Sequence, residues 1–110
     1  FGGAAIPATN TDTSNSGSIT LDFDTYQNHI LTFTGNVTLA NPSTENVGQS
    51  GVIVCIQDGT GSRTLSYSSV WDFVGGTAPT LTTTASAVDR IDYVVFSTSR
   101  IQAVATLAYS

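Results

Sequence analysis

One histidine, one cysteine and eight carboxylates are what this chain offers for chemistry. Nucleophilic catalysis needs a nucleophile, a base beside it and a group that orients the base. Cys55 lies inside the apolar run Val52-Ile53-Val54-Cys55-Ile56, which predicts a buried, inert thiol rather than an activated thiolate. His29 alternates with Leu31 and Phe33 and shares their face, which predicts a strand-end or interface histidine rather than a general base. Serines abound, but no nucleophile-elbow pattern marks one of them. The chain is expected to be no enzyme, and no catalytic residue is assigned.

Metal and cofactor chemistry is equally thin. A zinc site made from one His and one Cys would need carboxylates as well, and no ligand spacing supplies them. Calcium asks for several oxygens at about 2.3–2.6 Å. Asp22 and Asp24 project to one side of a strand, Asp58 lies in a Gly-rich loop, and Asp89 and Asp92 are close together. Whether any of these binds a metal stays open, the alternative being a solvated face. A glycosidase needs two carboxyls set across a cleft, whereas the acidic residues here fall on turns and outer faces. The Gly59-Thr60-Gly61 loop lacks a Walker lysine and no helix follows it, so it is no phosphate cradle, and no cofactor is expected. Asn36-Val37-Thr38 matches a glycosylation sequon. Tyr67, Tyr93, Tyr109 and Trp71 could offer a sugar platform, with the core reading preferred for Trp71 and Tyr93.

Composition bounds the classes of partner. A chain of 110 residues with 40% apolar content is one domain with a real core. Only 10% of residues are charged, there is no lysine, and more than a quarter are Ser or Thr. The net charge of −5, with Arg63, Arg90 and Arg100 as the cations, disfavours nucleic acid, which is bound by neutralising phosphates. It likewise disfavours anionic membranes, and no apolar run approaches the roughly 18 residues of a membrane span. Methionine is absent, so Phe1 is expected to be a processed end or the first residue of a piece of something longer.

The elements that must position these residues are predicted to be strands. Residues 1–17 have no period and read as a poorly structured N-terminal arm or tether, with Phe1 and Ile6 as possible anchors on a neighbour. Ser18 to Asp24 alternates, with Ile19, Leu21 and Phe23 on one face. His29 to Thr34 follows, then a Gly35-Asn36 turn and a short strand over Val37 to Leu39; 41–46 is a loop. The apolar run at 52–56 reads as a central buried strand. Asp58 to Ser62 reads as a tight reversal into a returning strand, 63–67. Val70, Trp71 and Phe73 make an aromatic cluster, 75–79 a flexible passage, and Leu81 to Thr84 a short edge strand. A final hairpin joins 90–97 to 100–108. About eight short strands over 18–110 imply an all-β chain, an antiparallel, jelly-roll-like β-sandwich. Without a fixed repeat, a solenoid is not expected.

Several motifs together carry a family likeness: Gly35-Asn36-Val37-Thr38-Leu39, Asn41-Pro42, Gly48-Gln49-Ser50-Gly51, Gln57 to Arg63, Trp71, Gly75 to Leu81, and the Ala87-Val88-Asp89 step. Over residues 18–110 the chain resembles β-modules of tailed-bacteriophage virion surface proteins, from tail fibres, head fibres and capsid decorations. That resemblance implies a structural or attachment role at the virion surface, with homo-oligomeric, usually trimeric, assembly and docking on other virion proteins. A carbohydrate- or host-receptor-binding module is the alternative, and a subunit of an extracellular filament a further one.

Overall fold

Apolar side chains at every second position turn one side of each long segment toward a common core and the other toward solvent. The computed structural model describes residues 8–109. Its strands are β1 (Thr9–Ile19), β2 (Asn28–Leu39), β3 (Ser50–Gln57), β4 (Leu65–Tyr67), β5 (Trp71–Phe73), β6 (Val88–Ser97) and β7 (Arg100–Tyr109), with a short 3-10 turn over Val74–Gly76. The inner face is built from Leu31, Phe33 and Leu39 of β2, Ile53 and Cys55 of β3, Ile91, Tyr93 and Val95 of β6, and Ile101 of β7.

The sheet order is β1-β2-β3-β6-β7-β5, with β4 attached to β2. β2 lies parallel to β1 on one edge; on the other it takes β3 over His29–Phe33 and β4 over Val37–Leu39, both parallel. The β3–β6 and β6–β7 pairs are antiparallel, and β5 runs parallel to β7. Parallel neighbours need a crossover, usually a covering helix. Here the crossover from β1 to β2 is coil that inserts Leu21 and Phe23 into the core, so the connection itself covers the inner face. Trp71, near the far end of the strand order, donates its indole N–H to the Ala40 carbonyl just beyond β2 at 3.3 Å. The sheet therefore curls over itself around one core.

The all-β expectation holds, and the final hairpin and buried central strand stand where the pattern puts them. The arrangement differs from an antiparallel sandwich of eight strands: seven strands form a single mixed sheet. The expected central hairpin is absent, because both edges of β3 are taken by β2 and β6, and the chain after the 58–62 turn pairs with β2 instead. Gly35-Asn36 is no turn; β2 runs straight through it, and a Cβ at Gly35 would stand 2.7 Å from the Ser16 Cβ, so the glycine admits β1. From Thr9 onward the segment read as an arm is strand β1, its one buried side chain being Asn15. The anchors Phe1 and Ile6 lie outside the described residues. The expected edge strand at Leu81 to Thr84 is coil, with Leu81 buried.

Candidate functional site

Two adjoining surfaces stand out, both organised by the turn between β4 and β5. The turn itself is tightly held: Ser68 donates to the Leu39 carbonyl through both its N–H (2.9 Å) and its Oγ (2.7 Å). The Trp71 N–H reaches the Ser68 carbonyl, and the Ile101 N–H reaches that of Val70. β4 and β5 diverge from this point, with the rings of Tyr67 and Phe73 packed edge to face at 4.5 Å.

Between them lies a groove of about 680 Å³, lined by Ser66, Tyr67, Phe73, Pro79, Thr80 and Arg100 among others. Its rim carries an ion pair in which Arg100 Nε donates to the Asp72 carboxylate, the two side chains being 58% and 31% exposed. Beyond Phe73 a second hollow of about 450 Å³ runs along the outer face of β6 and β7 past Val74, Val94 and Val104. These valines are 83%, 38% and 50% exposed, and Phe96 (46%) and Tyr109 (43%) extend the same side. Monomeric surfaces seldom leave such residues contiguous without a use for them.

Charge is unevenly spread. Each arginine is paired with a carboxylate, Arg63 with Asp58, Arg90 with Asp92 and Arg100 with Asp72. The formal charge of −5 therefore rests on Asp12, Asp22, Asp24, Glu45 and Asp89. The β6–β7 outer face, flanked by two of the three pairs, is formally neutral. Arg90 and Arg100 also lie over the rings of Tyr109 and Phe96 at 5.6 and 5.8 Å.

The residues singled out for chemistry are dispersed. His29 stands at the start of β2, the strand end expected of it, and is 1% exposed, stacked on Phe23 and edge-on to Tyr26, so it is a core side chain. Burial holds its pKa below the ordinary value, against smaller opposing effects from Asp22 and the Tyr26 backbone. Cys55 is buried, and desolvation, helped by nearby Asp89, pushes its thiol up to about 12, which keeps it protonated and inert.

Asp22 and Asp24 sit on the coil crossover, not on a strand. Asp22 Oδ1 accepts the N–H groups of Asp24 and Thr25 and so closes a turn. Asp58 does the same for Thr60 and Gly61 and pairs with Arg63, whose hydrogen bond holds the carboxyl below its usual range. Asp89 and Asp92 point to opposite faces of β6: Asp89 is buried and accepts the N–H groups of Thr82 and Ala108, while Asp92 faces Arg90. Among the described residues no three His, Cys, Asp or Glu side chains gather as a metal site. The Asn36 side chain of the sequon accepts the Thr64 N–H. Trp71 and Tyr93 are core, as expected, whereas Tyr67 is half-buried at the groove and Tyr109 is on the outer face.

Sequence reasoning missed Asp72, Arg100 and the exposed valines. Alternation puts Val94 and Val104 on an outer face, but the meeting of Asp72 and Arg100 depends on the parallel β5–β7 pairing, for which there is no local signal.

A family model described as "Putative phage tail fibre C-terminal domain" matches residues 8–97. No curated protein and no solved structure matched the chain.

Proposed function

The chain belongs to the phage tail fibre C-terminal domain family, and from that premise we propose that it works as a non-enzymatic module that self-associates through the outer face of β6 and β7. It is a structural tail-fibre protein located at the virion surface. Of the virion parts that the sequence leaves open, the tail fibre is the one that family membership supports.

The observation that carries self-association is the apolar, charge-neutral face of Val74, Val94, Phe96 and Val104 on an otherwise anionic molecule. Like-charged copies repel over most of their surface and least where the arginines are concentrated. Bringing two such faces together removes apolar area from water at about 25 cal/mol per Å². The Arg–Asp pairs at the rim can then exchange partners across a rotation axis and fix the register. A trimer is the assembly that the family resemblance implies, and docking on the rest of the fibre follows from the same setting.

The test is sedimentation velocity on the full chain and on Val94→Asp and Val104→Asp. Both sites are exposed, so the fold should persist by circular dichroism while the oligomer dissociates. A wild-type chain that sediments as a monomer at high concentration would defeat the reading.

A further inference from the structure

We propose that residues 1–7 of the chain cover an apolar stripe on the outer face of β3, in the same copy. This does not depend on self-association through β6 and β7.

The stripe is a consequence of alternation. Ile53, Cys55 and Gln57 of β3 point into the core, so Val52, Val54 and Ile56 point out. The ladder sets Ile30 of β2 opposite Val54, and Val88 of β6 opposite Ile56, and both of these also face outward. Branched aliphatic side chains thus meet across three neighbouring strands. They are half-buried, where Ile53 and Cys55 on the inner side are sealed. The strands form one sheet curled around one core, so among the described residues no strand is left to stack over this side.

Composition, point of attachment and length name the occupant. Residues 1–7, Phe-Gly-Gly-Ala-Ala-Ile-Pro, carry no side chain that can hydrogen-bond, whereas residues 9–18 are all Thr, Asn, Asp, Ser or Gly. Water disfavours the first kind of run unless apolar surface receives it. The Ala8 carbonyl accepts the N–H groups of Gln27 (3.0 Å) and Asn28 (3.2 Å), which fixes the end of the segment at the foot of β2. The foot of β3 is there too. The Val52 N–H donates to Asn28 Oδ1 at 3.0 Å, and a Cβ at Gly51 would strike the Gln27 carbonyl.

From that point Ile56 is about 16 Å away, by the rise along β3 and the spacing across the strands. An extended segment of this length spans up to about 23–25 Å, so Ile6 meets Val52 or Val54 and Phe1 reaches Ile56. The groove beside β4 lies level with Val37, about 30 Å along β2, and is out of reach. A segment tied to Ala8 is also present at an effective concentration of about millimolar, which favours it over the same segment from another copy. Covered, the stripe is withdrawn from contact. Bare, it would run through Val88 into the exposed valines of β6 and β7 as one apolar face without a defined edge.

The test is disulfide trapping in the full chain at high dilution. Ile6→Cys combined with Val52→Cys or with Val54→Cys should close an intrachain bridge under mild oxidation, and buried Cys55 does not compete. Ile6→Cys with Thr38→Cys, an exposed site at the far end of β2, should stay open. Deleting residues 1–7 should raise the emission of a polarity-sensitive dye severalfold while the far-ultraviolet circular dichroism is kept. Failure of both valine pairs to close, closure only between copies, closure with Thr38→Cys just as readily, or a folded deletion variant with unchanged dye emission would each overturn the proposal.

Discussion

Gln57 holds Arg63 by both its backbone N–H and its backbone C=O. The Arg63 N–H donates to Gln57 Oε1 at 3.0 Å, and Gln57 Nε2 donates to the Arg63 carbonyl at 2.8 Å. The same Nε2 donates to the Thr82 carbonyl at 3.0 Å. A buried amide at the last residue of β3 thus acts as a one-residue strand partner, closing the 58–63 loop and tying the 77–87 segment to it.

Replacing Gln57 with Leu keeps the volume but strands three backbone groups. Each buried unpaired group costs about 1–3 kcal/mol, not additively, so the expected loss is about 2–4 kcal/mol. Urea unfolding followed by Trp71 fluorescence measures it. An unchanged midpoint would mean that the amide is dispensable.

The two glycines of that loop should behave differently. Gly61 has φ +74°, and a Cβ there would lie 2.7 Å from the Thr83 carbonyl oxygen and 2.8 Å from the Ala85 nitrogen. Gly59 has ordinary φ and open space around it. Gly61→Ala should therefore destabilise by at least about 1–3 kcal/mol, while Gly59→Ala stays within about 0.5 kcal/mol. Thermal melts of the pair decide it, and equal melting temperatures would contradict the geometry.

His29 predicts a pH dependence. Burial lowers its folded pKa below the unfolded value of about 6.5, so between the two the unfolded chain holds a proton that the folded chain does not. Its contribution to stability is complete above about pH 6.5 and is lost as pH falls toward the folded pKa, at up to about 1.4 kcal/mol per pH unit. Asp22 and Asp58, whose pKa values are lowered, contribute above their unfolded value of 3.8 and lose it only in stronger acid. Denaturant unfolding at pH 7.5 and 5.0 should show the loss in wild type and a much smaller one in His29→Phe. Equal slopes in the two proteins would assign the dependence elsewhere.

What could be read from the residues follows from what is local. The period of two that puts Leu31, Phe33, Ile53, Ile91 and Tyr93 inward is a property of each strand alone, and it holds. It even carries into the crossover, where Leu21 and Phe23 are buried although no strand contains them. Partner choice is not local. Gly35-Asn36 looks like a turn because the need for a glycine there comes from Ser16, nineteen residues away. β1 was invisible as a strand because its faces carry Thr, Asn and Ser, with Asn15 alone buried, where its amide donates to the carbonyls of Asp12 and Thr32. The face of His29 was legible; its full burial was not, since that depends on Phe23 and Tyr26 folding over it.

The pairing of β5 with β7 bears on how the polypeptide reaches this state. Trp71 to Phe73 have no ladder partner until Ile101 to Ala103 have been synthesised, and β3 lacks its antiparallel neighbour until β6 exists. Contacts so distant in sequence slow the search for the native state. A nascent chain halted before residue 88 would hold β2 and β3 with their inner face covered by the Leu21 and Phe23 crossover but without Ile91, Tyr93, Val95 and Ile101, a species prone to aggregate. Folding is thereby deferred until β6 and β7 have been made, and the domain should acquire its structure in one late, cooperative step rather than strand by strand during translation.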